Sequence, residues 1–542
     1  MSTTPIYLDY AATTPVDPAV AAAMVEALGA EGAFGNASAV THVFGRRAEA
    51  QVEAARTQVA ALIGARSNEI VFTSGATESN NLAILGIARA AAIPAKGARH
   101  VVTSKIEHKA VLDVCKQLER EGFAVTYVAP DSAGRVQPEA IRAALRPDTV
   151  LVSVMHANNE IGVIQSVESI GAICRERGIP FHVDAAQSVG KMRVDVGSLP
   201  VDLLSFTAHK IYGPKGIGAL YVRSAMRAAL KPVTFGGGQE RGIRPGTLPT
   251  HQIVGLGRAC ELASAALASE PARIAALRDR LWEHLRRIEG VHLNGGDAPR
   301  LPGILNVSFE GVEGESLVTS LTSLALSTGS ACSSASGDPS YVLRALGRNT
   351  ALAQSSLRFS FGRMSSTSDI DQAAVAVERQ VTRLREASPA GSGEAPPPLQ
   401  IPDSERQAPL HAALSAKTRQ YFDDLAGVGR MVPGPGVAQG EAGGPGAEAW
   451  VRFHLHVARR EADYPIVRAA LFQAWGCPHT LAVTSWLTAQ LAGRQLSSED
   501  EFVPGTPSAW LQAFEVPVEK LGRLLVIEDA LRAAFRHGRQ GF

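Results

Sequence analysis

The chain has 542 residues, a formal net charge of +1, 45% hydrophobic and 19% charged residues. That is the make-up of a soluble globular protein of about two to four domains, and its neutral balance excludes an electrostatic footprint for nucleic acid or an anionic membrane. The polar start Met1–Asp9 is no secretory signal, no apolar run reaches the ~18 residues of a spanning helix, and five scattered cysteines form no disulfide framework and point to a reducing cytoplasm.

From Ile6 to about Leu384, short β-branched runs alternate with helical stretches. Pro18 to Leu28 and Ala48 to Ile63 read as amphipathic helices. The strand Ile70-Val71-Phe72 runs into Ser74-Gly75-Ala76-Thr77-Glu78, where small residues open a helix. Backbone N–H groups there suit a phosphate, with the Thr77 hydroxyl as a further donor; taken alone the segment is a capping signal. The strand His100 to Thr103 leads to Glu107-His108-Lys109 and a helix to Arg120. His108 at that point either caps the helix or stacks on a ring and moves protons. Further strands at Thr149 to Ser153 and Pro180 to Val183 flank a helix at Val167 to Arg177.

Asp184 ends the next strand, and Lys210 follows another, Asp202 to Phe206, in Thr207-Ala208-His209-Lys210. A desolvated lysine at a strand end can be held neutral and form a Schiff base, although a lone lysine is normally a surface residue. A strand-end aspartate suits a pyridinium nitrogen or serves as an N-cap. The repeated strand–helix pattern predicts an α/β fold with a parallel sheet covered on both faces and ligands at the strand ends. Cys332 lies in the Ser/Gly/Ala-rich run Ser327 to Ser336, read as a mobile loop in which a thiol is exposed and ionisable. Cys115, Cys174 and Cys260 sit among apolar residues and read as inert core thiols. Arg358, in the strand-like Ser355 to Ser360, offers a guanidinium fork for an α-carboxylate.

Six ordered motifs carry a family resemblance: TSGATESNN (73–81), MHANNEIGV (155–163), DAAQSVG (184–190), HKIYGPKGIGA (209–219), RGIRPGTL (241–248) and SACSS (330–334). With Tyr7-Leu8-Asp9-Tyr10 they resemble the NifS/IscS-like cysteine desulfurases, class V aminotransferase-like enzymes dependent on pyridoxal 5'-phosphate (PLP), over the chain to about Pro389. The resemblance implies a fold-type-I PLP-dependent transferase acting as a cytoplasmic homodimer, with a large domain at about 15–260 and a small domain from the remainder of 1–388. It implies conversion of L-cysteine to L-alanine, with sulfur passed as a persulfide to an acceptor protein or iron–sulfur scaffold. Lys210 would hold the cofactor, Asp184 face its ring nitrogen, and Gln187 and Asn159 contact the ring hydroxyl or nearby groups. His108 would stack and shuttle protons. Ala76, Thr77, Thr207 and His209 would bind the phosphate, and Thr247 would reach the other subunit's phosphate. Arg358 and Asn36 would bind substrate, and Cys332 would take the sulfur. Ala37 stands where the family usually has Pro, and Thr207 where Ser is common. No metal is implied. A selenocysteine lyase, or a fusion acting mainly as an assembly platform, are the alternatives.

Ser388 to Gln400 (SPAGSGEAPPPLQ) has linker composition, and a linker is set at 389–412. Helical periodicity resumes near His411, Gly427 to Gly446 reads as a Gly-rich loop, and Trp450 to Val457 alternates as a strand. Helices are predicted at Thr480 to Leu491 and Glu528 to His537. YFDDLAGVG (421–429), FQAWGC (472–477) and EDALRAA (528–534) make residues 413–542 resemble an IscU-like α+β scaffold domain. It is degenerate: of three cluster cysteines only Cys477 survives, and Arg523 stands where the third would fall. Three readings stay open: a docking module, a sulfur relay through Cys477, or a cluster scaffold. His454 and His456 share a strand face that reads as solvated.

Overall fold

The computed structural model describes residues 4–92, 99–327, 339–387, 414–444, 447–458, 465–496 and 504–540. Cys332 and the segment Ser388 to Gln400 lie outside them.

Seven strands form the central sheet: β1 (Ile70–Thr73), β2 (His100–Ser104), β3 (Ala124–Val128), β4 (Thr149–Ser153), β5 (Phe181–Asp184), β6 (Leu203–Thr207) and β7 (Gly218–Val222). They lie in the order β1-β7-β6-β5-β4-β2-β3. Six strands are buried along their whole length, as a sheet covered on both faces requires. Neighbours from β6 through β5, β4 and β2 to β3 are parallel. The expected all-parallel sheet needs one correction, because β7 is antiparallel to both β1 and β6. The link from β6 to β7 is short, and a parallel return would need a crossover of a dozen or more residues.

Both faces carry an apolar core. One packs Ile253 and Leu256 of helix Thr250–Ala266 and Val52 and Val59 of helix Val43–Leu62. The other packs Leu82 and Ile87 of helix Ala76–Ala92 and Val111 and Leu118 of helix Lys109–Arg120. Cys115, Cys174 and Cys260 are buried in these cores as expected, and burial pushes the Cys115 and Cys174 thiols up to about 12.

The smaller unit is a three-stranded antiparallel sheet, β8 (Val291–Leu293), β9 (Ile304–Phe309) and β10 (Ser356–Ser360), with helices Glu270–Leu285 and Thr367–Ala387. A second antiparallel sheet follows in the tail: β11 (Val437–Gly444), β12 (Ala449–Ala458) and β13 (Ile466–Trp475). Helices Pro478–Leu491 and Leu521–Gln540 cover it. β11 corrects the reading of 427–446 as loop. Gly440 is needed there because a Cβ would meet Ala534 N of the covering helix at 1.8 Å. The solvated-face reading of the two histidines also fails in half: His456 is exposed, but His454 is buried with its Nε2 3.3 Å from Gln473 Oε1.

The tail packs onto the smaller unit of its own chain. Helix Thr367–Ala387 meets β13, Arg383 Nη1 donates to Phe422 O at 2.8 Å, and Ser316 Oγ donates to Gly476 O at 2.9 Å. Val377 and Val381 share one apolar cluster with Phe422 and Phe472.

Candidate active site

The strand ends of the central sheet gather the predicted residues. β6 ends at Thr207 and turns through a short 3-10 segment, Ala208–Lys210. Lys210 Nζ donates to the carbonyls of Ala11 and Ala12 at 2.5 and 2.7 Å, so the amine is aimed across the strand ends. His209 Nδ1 lies 3.2 Å from Thr13 Oγ1. Burial, then Lys210, Lys215 and Lys191, lower its imidazole to about 4, so the ring is neutral near pH 7.

Asp184 closes β5 as a buried carboxylate. Asn80 Nδ2 donates to its Oδ2 at 2.8 Å and Ala186 N to its Oδ1 at 3.0 Å. Glu107 lies nearby and is fully buried. Burial pushes it up to about 8, against hydrogen bonds from Ser104 and Met155 and with help from the Asp184 charge. Glu107 is therefore neutral at pH 7 and adds no second negative charge beside Asp184. His108 caps helix Lys109–Arg120, with Nδ1 accepting from Ala110 N at 3.1 Å.

Gly75 precedes helix Ala76–Ala92 and has φ 150°. The turn lies against β7 so closely that a Cβ on Gly218 would meet Gly75 Cα at 2.7 Å. This brings the helix N-terminus, with Ala76 and Thr77, beside the end of β6, where a Cβ on Gly75 would stand 3.6 Å from Thr207 Oγ1. Free N–H groups of a first helical turn make an anion cradle there. Glu78 is tied by Arg244 at 2.8 Å and by Ser74 N at 2.5 Å. Burial would raise its carboxyl, but these partners outweigh burial and lower it.

Arg358, on β10, reaches the same place from the smaller unit. It is 2% exposed, donates from Nη1 to Asn159 O at 2.9 Å and from Nη2 to Asp9 Oδ1 at 2.7 Å, and leaves Nε unpartnered among the described residues. Two predicted residues are not brought into this cluster. Asn36 is exposed and caps its own turn through Ser38 N at 2.9 Å. Thr247 is exposed, three residues beyond the Arg244 that pairs with Glu78.

The residues fit PLP on what the site leaves unsatisfied. Among the described residues, Asn159 Oδ1, His156 Nδ1 and Arg358 Nε are buried without a hydrogen-bond partner, a costly state unless a polar ligand completes it. They stand with a buried carboxylate, a strand-end lysine and a helix-start cradle, as a ring nitrogen, an aldehyde and a phosphate require.

Residues 6–373 match the family model for class V aminotransferases. The chain belongs to that family. It is 57% identical over 385 residues to the cysteine desulfurase IscS of Serratia proteamaculans, covering 71% of this chain and 95% of the relative. A solved NifS-like protein is 35% identical with a TM-score of 0.64, covering 70% of this chain and all of that one. SspA, solved in complex with cysteine, is 42% identical with a TM-score of 0.58, covering 66% and 98%. Class V aminotransferases are PLP enzymes, and the candidate residues described above lie at or just after the ends of β1, β5 and β6.

The described residues on either side of the Cys332 segment, Ser327 and Ser340, bond to residues of this site. Arg358 N donates to Ser327 O at 2.9 Å, and Ser340 Oγ donates to Glu160 Oε2 at 2.5 Å. Tyr341 OH donates to Glu107 O at 2.7 Å. Sequence reasoning missed Asn80, Glu107, His156 and Lys191. Each lies inside or beside a quoted motif, and that neighbourhood was the available signal.

Cys477 lies elsewhere, fully buried at the start of helix Pro478–Leu491 and against helix Gly314–Ser320 of the smaller unit. Burial alone would raise the thiol, but Arg523, His479 and Lys520 hold it well below its usual range. Lys520 pairs with Glu315 at 2.7 Å and Arg523 with Glu448 at 2.5 Å. Burial raises the Glu313 and Glu315 carboxyls, helped in turn by Glu315 and by Cys477.

Proposed function

We infer that the protein is a PLP-dependent cysteine desulfurase that takes sulfur from L-cysteine, releases L-alanine and carries the sulfur as a persulfide on Cys332. The observation that carries this is the position of the residues flanking the Cys332 segment: Ser327 O accepts from Arg358 N, and Ser340 Oγ donates to Glu160, next to Asn159.

PLP held by Lys210 supplies an electron sink that weakens the bonds at the substrate's α- and β-carbons. The chain's residues do the rest. Arg358, with Nε unengaged, binds the α-carboxylate. Lys210 takes the α-proton on Nζ, which is oriented by the Ala11 and Ala12 carbonyls. The Cys332 thiolate attacks the substrate sulfur: an S–S bond forms, the Cβ–S bond breaks and its electron pair stays with the carbon skeleton. Reprotonation then gives alanine. Neutral His209 and Glu107 limit the local charge during these transfers. Thr247 and Asn36, exposed in one chain, are assigned to the partner's site across a homodimer.

For the tail, the favoured reading is a degenerate IscU-like module docked in cis. Arg523 and Glu448 pair where cluster ligands would fall, and Cys477 is sealed against Glu313 and Glu315. A relay needs an exposed thiol, so docking is preferred. The test is stoichiometric alanine release with bleaching of absorbance near ~420 nm on adding L-cysteine. Lys210→Ala should abolish both, and unchanged alanine release in that variant would refute the assignment.

A further inference from the structure

Lys191 follows the DAAQSVG motif and is not among the residues that the family resemblance assigned. The turn after β5 folds back through hydrogen bonds from Ser188 N and Val189 N to Ala185 O, and from Lys191 N to Ser188 O. This places the Lys191 side chain beside Gln187. Lys191 Nζ donates to Gln187 Oε1 at 3.0 Å, and Gln187 Nε2 donates to Ala11 O at 2.9 Å. The same Ala11 carbonyl accepts from Lys210 Nζ at 2.5 Å. The four groups form one continuous chain from Lys191 to the Schiff-base lysine.

The polarity of that chain is forced. While protonated, Lys191 offers only donors and selects the oxygen of the Gln187 carboxamide. A backbone carbonyl offers only lone pairs, so it selects the nitrogen. Gln187 is buried, and turning its amide would set N–H against Lys191 and C=O against Ala11 O. One N–H of Nε2 is used by Ala11, and the second is left for an acceptor. Lys191 itself is held under strain. Burial, then Lys210 and Arg358, lower it to about 7. The titratable groups facing this corner are Lys210 and His209 after β6, Arg358 on β10, and Tyr10, Tyr212, Glu270 and Arg363 across the adjoining cleft.

We propose that Lys191 is a positioning residue, which locks the Gln187 carboxamide so that it presents N–H rather than C=O to an oxygen of the cofactor ring. The proposal rests on the PLP reading of the site. An N–H donor stabilises an anionic ring oxygen, whereas a turned carbonyl would repel it. The lock therefore sets the protonation behaviour of the bound cofactor, and Lys191 acts through Gln187 without touching substrate.

The test is a pH titration of the cofactor band near ~420 nm in the holoenzyme, without substrate. Lys191→Met should move the midpoint upward by about one pH unit, because a stabilised ring anion and a neighbouring cation both disfavour the protonated chromophore. Lys191→Arg keeps a donor to Oε1 and should restore the wild-type midpoint. Lys191→Glu offers only acceptors, should shift the midpoint at least as far as Lys191→Met, and stands in if that variant does not fold. In a Gln187→Ala background, Lys191→Met should give a clearly smaller shift, because only the charge contribution remains. Unchanged midpoints in both Lys191→Met and Lys191→Glu would overturn the proposal. So would an undiminished shift in the Gln187→Ala background, since Lys191 would then act by charge alone. Absence of the band from PLP-loaded wild type would instead refute the underlying cofactor reading.

Discussion

At the strand ends of the central sheet, polar atoms are buried with bonding capacity left over. At Cys477 the charges are met by side chains of the same chain. Among the described residues, Asn159 Oδ1, His156 Nδ1 and Arg358 Nε lack partners in the first place, while Lys520 and Arg523 in the second are paired with Glu315 and Glu448. Cys332 lies outside the described residues, and the residues that flank it, Ser327 and Ser340, bond to Arg358 and Glu160. Cys477 is 0% exposed. Unsatisfied polar groups that are costly to fold mark a place where a ligand repays them. Around Cys477 the ammonium and guanidinium charges are paired with carboxylates, which marks a joint, although Arg523 Nη1 and His479 Nδ1 keep bonding capacity there as well.

The comparison can be broken from either side. The largest effect belongs to the first region: Lys210→Ala should lower alanine release on the order of 10³-fold or more, and Cys332→Ser should remove the persulfide. Arg358→Lys comes next. It loses the planar fork, worth about 1.5–3 kcal/mol, and should raise KM for cysteine on the order of 10–100-fold with a smaller effect on kcat. Steady-state kinetics separates the two parameters.

In the tail, Lys520→Met leaves Glu315 without its partner. It should destabilise docking by about 1–3 kcal/mol, less than a fixed buried charge would cost, because Glu315 can take up a proton. Limited proteolysis should then cut between the two halves faster, while turnover with a small thiol acceptor stays within about twofold. A collapse of turnover in Lys520→Met would show that the joint serves catalysis.

The smallest effect is a pH dependence. The folded-state pKa of Glu107 is raised to about 8, chiefly by burial, above its ordinary value of 4.5. Its contribution to stability is complete below about pH 4.5 and is lost as pH rises toward 8. Glu107→Gln, neutral throughout, should raise the Tm of the apoprotein more at pH 8 than at pH 5. An equal shift at both pH values would contradict a raised Glu107.

The sheet was legible because short β-branched runs such as Thr149–Ser153 alternate with helical stretches along the chain. The antiparallel β7 was not, since strand direction depends on the length of a connection and leaves no mark on Gly218–Val222 itself. Val437–Gly444 was hidden for another reason. Its glycines read as loop, and only the approach of helix Leu521–Gln540 explains Gly440. Candidate residues carried by motifs, such as Lys210 and Asp184, could be named from the sequence, and the fold gathers them at the strand ends. Their supports, Asn80 and Lys191, could not be, because their roles come from contacts that span the fold or turn back on a neighbour.

The most direct test of the account is peptide mapping by mass spectrometry after brief exposure of the holoenzyme to L-cysteine. The account predicts one added sulfur atom on the peptide containing Cys332 and none on the peptide containing Cys477. Sulfur on Cys477, or an unmodified Cys332 in an enzyme that still forms alanine, would contradict it.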